Sequence, residues 1–212
     1  MTRLTRQLPG QNVMLASVLI ALLGGGAHCL GALIGVPFCR FDCTDDAGPR
    51  LFYPLPWSVP AIWLVAILTS RGVAQLILRP WRNTRVYGFW MMGTTALLVV
   101  LLDIGLEPFA TKVNHYWIWQ PTKFPLDWYG APLMNFFGWG ITALLILAFV
   151  TPTLINKRPV TFPPDYQPLV GWLLLTLLFL TGGLTHQLWL AVTVSGLSSI
   201  AVAVLAIRGA RF

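Results

Sequence analysis

The chain has 212 residues, of which 56% are hydrophobic and only 10% are charged. A water-soluble domain of this length needs more charge to cover its surface, so the composition excludes that class and predicts an integral membrane protein. The formal net charge of +7 comes from 14 Lys and Arg residues against 7 Asp and Glu residues.

Hydropathy along the chain predicts six membrane-spanning helices. Crossing a bilayer takes about 20 mostly apolar residues. Runs near that length with little charge lie at about 12–35, 57–78, 86–106, 130–150, 168–185 and 187–207. Arg71 falls inside the second run, and the basic loop nearby favours snorkelling of its side chain toward the interface. The predicted fold class is all-α, a polytopic membrane protein whose single helical transmembrane domain covers residues 1–212.

The basic residues favour one orientation in the membrane. If the N-terminus is cytoplasmic, ten Lys and Arg residues fall in inner segments and only Arg40, Arg50, Lys112 and Lys123 fall outside. Cytoplasmic loops carry an excess of Lys and Arg, so both termini are predicted to be cytoplasmic and the protein to cross the cell's inner (cytoplasmic) membrane. Anionic membrane lipid then accounts for the positive charge, and no nucleic-acid partner is needed.

The two longest connections, residues 36–56 and 107–129, lie on the predicted outer side. The second is dense in Trp and Tyr, which suits the headgroup region because rings with one polar edge are favoured there. Cys39 and Cys43 lie in the first connection. An oxidising compartment would permit a disulfide between them, and two free thiols are the equal alternative.

Four polar residues in or beside the spans carry the candidate chemistry, because polar groups in hydrocarbon usually face a cavity or a partner. Asp103 and Glu107 are four residues apart, so both carboxyl groups lie on nearly one helix face. Two buried like charges repel, so one of the pair must take up a proton or bind a cation. Asn135 and His28 lie at roughly the same depth, which predicts one shared site. The alternative, that each group only bonds a neighbouring helix, stays open, for His28 above all.

Several segments resemble the motifs of a known family. They are GALIGVPF (Gly31 to Phe38), DIGLEP (Asp103 to Pro108), the aromatic stretch with Tyr116, Trp117 and Trp119, and YGAPLMNFFGW (Tyr129 to Trp139). Together they look like the core motifs of the carotenoid biosynthesis membrane proteins, which include the carotenoid hydratases acting on γ-carotene and on bisanhydrobacterioruberin. The likeness covers roughly residues 28–140, and its motifs are specific as a set but weak singly.

The resemblance implies a hydratase that adds water to the terminal double bond of an acyclic carotenoid ψ-end group. Such a reaction needs an acid to protonate the alkene and a positioned water to trap the tertiary carbocation. We expect Asp103 to be the acid and Glu107 the carboxylate that orients water, with the reverse assignment open, and Asn135 to hold that water. The expected substrate-binding residues, whose tryptophans could stabilise positive charge through their faces, are His28, Trp117, Trp119, Tyr129, Phe136 and Trp139.

The chain departs from the family pattern in two places. It has His28 where the pattern has a glutamate, and it reads PFCRFDC, with Cys39, Phe41 and Cys43, where the pattern has Pro-Phe-Gly followed by tyrosines. The alternative function is therefore a carotenoid- or pigment-binding structural subunit of a membrane complex, for example a photosynthetic one, with other membrane subunits as partners.

No cofactor is predicted. The sequence has no dinucleotide glycine fingerprint, Walker loop or histidine-rich iron motif, which disfavours a desaturase, an ATP-driven pump and a di-iron hydroxylase. Its three histidines, His28, His115 and His186, are scattered among different segments, so no metal site is predicted either.

Overall fold

Six long helices form the body of the protein in the computed structural model, which describes residues 9–122, 126–154 and 163–212. In chain order they are α1 (Gly10–Ile34), α2 (Ser58–Ile77), α3 (Tyr87–Pro108), α4 (Leu133–Val150), α5 (Gln167–Thr185) and α6 (Trp189–Ala210). Each is at least 18 residues long and apolar enough to cross a membrane. The predicted fold class, an all-α polytopic membrane protein with six spans, is confirmed.

The third helix runs further than hydropathy predicts. Beyond Pro108 the backbone continues as a π-helical turn at Phe109–Val113, about two turns past the predicted end of the span at residue 106. The predicted loop at 107–129 therefore begins as helix, and Glu107 is held by helical backbone on both sides.

Short antiparallel strand pairs occur in the two long loops, where hydropathy predicts only connections. They are β1 (Phe41–Cys43) with β4 (Trp117–Trp119), β2 (Arg50–Phe52) with β3 (Leu55–Pro56), and β5 (Asp127–Trp128) with β6 (Ala131–Pro132). In these pairs, backbone N–H and C=O groups of the loops bond one another where the chain has left the helices. The first pair, called the β1/β4 ribbon below, joins the two long loops into one cover over the helix ends.

Small residues allow the helices to pack closely. Helix α3 is central and contacts α2, α4, α5 and α6, while α1 packs against α2 and α4. A Cβ atom added at Gly24 on α1 would overlap the Trp63 ring, and one added at Gly138 on α4 would overlap Phe38. Glycine at these positions lets aromatic rings reach the backbone, as at many contacts between membrane helices.

The connections separate into two groups at opposite ends of the helices. At the end away from the β1/β4 ribbon, the Arg71 guanidinium donates to the carbonyl of Leu154 at 3.1 Å. Arg71 therefore pairs with backbone instead of only snorkelling. Assignment of this end to the cytoplasm stays a prediction from the basic residues, of which Arg3, Arg6, Lys123, Lys157 and Arg158 lie outside the described residues.

All three cysteines of the chain, Cys29, Cys39 and Cys43, are free thiols. Of the two alternatives for Cys39 and Cys43, the structure has the unpaired one. Burial raises the pKa of Cys43 to about 11 and also raises the pKa of Cys39. Both groups are therefore protonated at neutral pH and weakly nucleophilic.

Candidate active site

Asp103 and Glu107 lie one turn apart on α3 and are buried, with 0% and 1% of their surface exposed. Asn135, also buried, lies in the first turn of α4 against them. Its side-chain nitrogen donates to Oδ2 of Asp103 and to Oε1 of Glu107, each at 2.9 Å. Both N–H groups of one amide are therefore engaged by the two carboxyl groups. The structure brings together the three residues predicted to be catalytic.

Glu107 accepts two further bonds through Oε2. The indole nitrogens of Trp117 and Trp119 donate to it at 3.2 and 3.1 Å. Trp117 and Trp119 are alternate residues of β4, so their side chains point to the same face of the strand, while Ile118 between them is exposed. Glu107 thus faces three N–H donors and acts only as an acceptor, as an ionised carboxylate does.

Asp103 is bonded differently. It accepts only from Asn135, and its Oδ1 atom is buried with no hydrogen-bond partner within the described part of the chain. The pair is therefore asymmetric, because three N–H groups donate to Glu107 and only one donates to Asp103. If Asp103 is the protonated member, it has one O–H donor that an ionised carboxylate lacks.

The β1/β4 ribbon covers this pair. Phe41 lies opposite Trp119 in the strand register, with their ring centroids 5.1 Å apart. The pairing is extended by Gln120, whose backbone N–H donates to the carbonyl of Arg40 at 2.9 Å and whose side chain donates to the Asp42 carboxylate. The ribbon holds the two indole donors over Glu107 and closes the site at the loop end.

His28 lies in an aromatic cluster beside the pair. Its Nδ1 accepts from the indole nitrogen of Trp63 at 3.0 Å, so a neutral ring carries its proton on Nε2. The ring centroids of Phe38, Phe41 and Trp139 lie 4.7, 5.6 and 5.6 Å from that of His28. Trp139 is also stacked on Trp63 at 4.2 Å. The carboxyl groups do not hydrogen-bond His28 directly; aromatic rings connect it to them.

Trp117 links the carboxyl pair to the aromatic cluster around His28. It donates to Glu107 and also borders, with His28, Trp63 and Trp139, a gap too narrow for a water molecule. Aromatic packing therefore keeps bulk water away from the carboxyl groups on this side. Across residues 9–122, 126–154 and 163–212, no group of three or more His, Cys, Asp and Glu side chains could hold a metal ion.

The other two predicted substrate-binding residues, Tyr129 and Phe136, do not hydrogen-bond the carboxyl groups. The Tyr129 hydroxyl accepts from the backbone N–H of Ala191 at 3.3 Å, at the start of α6. That N–H is one of those a helix leaves unpaired in its first turn, so Tyr129 caps α6. Phe136 is half-buried and follows Asn135 on α4, which turns its side chain about 100° around the helix from Asn135.

Sequence reasoning missed Trp63, Phe38 and Phe41. Their contacts with His28 depend on how α1, α2 and the first loop fold together, and hydropathy alone treats each ring as an ordinary membrane-compatible side chain. The sequence contains one weak signal for Trp63: it lies four residues before Ile67, so the two side chains share a helix face. In the structure both are buried.

The fold and the site define a class of protein: a polytopic membrane protein with a buried carboxyl pair that is bridged by an amide and covered by indole rings. The chain belongs to the carotenoid biosynthesis protein family, whose sequence model matches residues 1–204. The family likeness predicted from residues 28–140 is confirmed, and it extends into α6.

A relative supports the same family. The bisanhydrobacterioruberin hydratase of Haloarcula japonica is 28% identical over 138 residues, which are 64% of this chain and 44% of that protein. The matched segment thus spans less than half of the relative's length. No solved structure matches the chain.

Proposed function

We propose that the protein is a carotenoid hydratase that adds water to the terminal double bond of an acyclic carotenoid end group in the cytoplasmic membrane. The observation that carries the proposal is the unequal hydrogen bonding of the buried pair, with three N–H donors at Glu107 and one at Asp103. Family membership and the hydratase relative support carotenoid as the substrate class.

Asp103 is assigned as the acid. Two carboxylates held close by one amide repel each other in a buried site, so one of them keeps a proton. The unpartnered Oδ1 of Asp103 is the atom from which that proton would leave. The electron pair of the terminal C=C bond takes the proton, a C–H bond forms on one carbon, and a tertiary carbocation is left on the other.

Glu107 is assigned as the carboxylate that receives the second proton. A water molecule attacks the carbocation through a lone pair, a C–O bond forms, and the proton that the water loses passes to Glu107. The product is a tertiary alcohol, and return of a proton from Glu107 to Asp103 restores the starting state. Hydrogen and hydroxyl are added without any redox change, so the reaction consumes no cofactor.

The indole rings have two roles in this proposal. Trp117 and Trp119 hold Glu107 as a carboxylate through their N–H groups, while the faces of Trp117, Trp119 and Trp139 stabilise nearby positive charge. A cation over an indole face is stabilised by about 0.5–2 kcal/mol, with the larger values in sites without water. Because the pair is enclosed, the end group reaches it only when the aromatic cover moves.

Expression in a host that accumulates lycopene or γ-carotene tests the proposed function. The expected result is a new pigment whose mass exceeds that of the precursor by one water, formed with the parent protein and absent from cells with the empty vector. Unchanged pigments in cells whose membranes contain the folded protein would contradict the proposal.

A pigment-binding subunit is the second candidate, and the tight aromatic cluster around His28 favours it. Such a protein would hold the carotenoid against these rings and leave it chemically unchanged. The same expression experiment separates the two functions, because this candidate predicts unmodified carotenoid that copurifies with the protein at a fixed ratio.

A further inference from the structure

The last turn of α3 lacks one of its backbone hydrogen bonds. Pro108 is buried near the end of the helix and has no N–H group, so it cannot donate to the carbonyl of Ile104 four residues earlier. In the interior of a membrane protein no bulk water replaces such a donor, and an unsatisfied carbonyl is unfavourable.

Trp128 supplies the missing donor. Its indole nitrogen donates to the carbonyl of Ile104 at 3.0 Å. Trp128 belongs to β5, in a tight turn closed by the backbone N–H of Gly130, which donates to the Asp127 carboxylate at 2.8 Å. Gly130 has φ +94°, in the left-handed region that suits glycine. A side chain from the second long loop therefore completes the backbone bonding of α3.

In the chain, Ile104 lies between the two residues of the carboxyl pair. Ile104 directly follows Asp103, and the bond that Pro108 cannot make would close the turn from Ile104 to Pro108, which contains Glu107. On the other side of Pro108, the Thr111 hydroxyl donates to the carbonyl of Glu107 at 2.7 Å. The Trp128 bond thus takes the place of one regular helix bond beside the turn that sets the spacing of the pair.

We propose that Trp128 is a positioning residue for the carboxyl pair. Its indole N–H fixes the backbone between Asp103 and Glu107 and so holds the acid and the carboxylate at their working separation. The inference deepens the proposed hydratase function and rests on it. It assigns Trp128 no contact with the substrate, in contrast to Trp117 and Trp119, which bond Glu107 itself.

The experiment pairs Trp128→Phe with Pro108→Ala. Phenylalanine keeps the ring but removes the N–H, whereas alanine at position 108 restores a backbone N–H that can reach the Ile104 carbonyl. Trp128→Phe alone should lower the hydration rate by about ten- to a hundredfold, since small displacements of catalytic groups have effects of that size. It should also move the pH profile of the rate. In the Pro108→Ala background the same substitution should change the rate by less than about threefold.

Equal losses in both backgrounds, or a lower yield of folded protein with an unmoved pH profile, would overturn the positioning role. Trp189→Phe is the matched control. Trp189 is 62% exposed at the start of α6, so this substitution should leave the hydration rate and its pH profile unchanged.

If the parent itself forms no hydrated product, the proposed function is wrong, and the role of Trp128 is tested without the reaction. The melting temperatures of the parent, the two single variants and the double variant then decide the inference. A smaller effect of Trp128→Phe in the Pro108→Ala background supports the backbone bond, and additive effects overturn it.

Discussion

The amide of Asn135 has two N–H groups, and both are bonded to carboxyl oxygens. Any water that Asn135 holds must therefore donate to its carbonyl oxygen. Because the remaining donors all face Glu107, the two carboxyl groups should respond differently to the same chemical change. Amide substitution is the most direct way to expose that difference, since it alters hydrogen bonding with little change of shape.

Asp103→Asn should lose less stability than Glu107→Gln. Asparagine at position 103 can accept the bond from Asn135 through its oxygen, and its NH₂ takes the place of a protonated oxygen that already has no partner, so it adds only one unpaired donor. Glutamine at position 107 puts an NH₂ group against N–H donors, and each buried donor left unpaired costs about 1–3 kcal/mol. Melting temperatures in detergent measure the contrast. Equal melting temperatures for the two variants would contradict the donor asymmetry.

The roles of individual side chains were predictable from the sequence to different degrees. The spacing of Asp103 and Glu107 sufficed to place both on one face of a helix, and topology sufficed to bring Asn135 to their depth. The donors Trp63 and Trp128 were not predicted, because each acts through one N–H on a group 24 or more residues away in the chain. Neither hydropathy nor helical period contains that information.

At the scale of elements, the β1/β4 ribbon covers the carboxyl pair at the loop end. Its strands lie more than 70 residues apart in the chain, so their pairing could not be predicted from local pattern. The ribbon also contains a natural probe, since Cys43 lies on β1 and is half-buried there.

Cys43 should react slowly with thiol reagents at neutral pH. Burial raises its pKa to about 11, and the thiolate is the reactive form. In a Cys29→Ala, Cys39→Ala background, its labelling rate should rise about tenfold per pH unit up to pH 10. An exposed control, Asp46→Cys in a cysteine-free background, should level off near the ordinary thiol pKa of about 8.5. A Cys43 rate that levels off with the control would show that the ribbon does not bury β1.

The contact between α1 and α2 depends on Gly24. Gly24→Ala should lower the unfolding free energy by about 1–3 kcal/mol, because the new methyl group must displace the Trp63 ring. Gly26→Ala on the same helix meets nothing within 4 Å and should be neutral or stabilise by up to about 1 kcal/mol. Thermal unfolding in detergent compares the two variants. Equal effects would contradict the packing of Trp63 on α1.

At the scale of the whole molecule, composition and hydropathy were sufficient to predict the six-helix architecture. Each span is long and apolar, and the physics of the bilayer leaves few other arrangements. The bounds were predictable to within a few residues except at Pro108. Proline ordinarily ends a helix in sequence reasoning, but here the Trp128 indole N–H bonds the carbonyl that Pro108 leaves without its helix donor, and the helical backbone continues.

The orientation in the membrane is tested by labelling from outside intact cells. Asn83→Cys lies in the basic connection between α2 and α3, and Asp46→Cys lies in the first long loop; both positions are exposed. In a cysteine-free background, a membrane-impermeant maleimide should label position 46 and leave position 83 unlabelled until the cells are opened. Labelling of position 83 in intact cells would reverse the predicted orientation.

The most direct test of the central claim follows oxygen from water into the pigment. Purified parent protein and Asp103→Asn are incubated with an acyclic carotenoid in isotopically labelled water, and the products are weighed by mass spectrometry. The parent should yield a tertiary alcohol with one labelled oxygen, and Asp103→Asn should form it about 10²–10⁴ times more slowly while remaining folded. Parent-level turnover by Asp103→Asn, or bound carotenoid without labelled oxygen in the parent, would contradict the account.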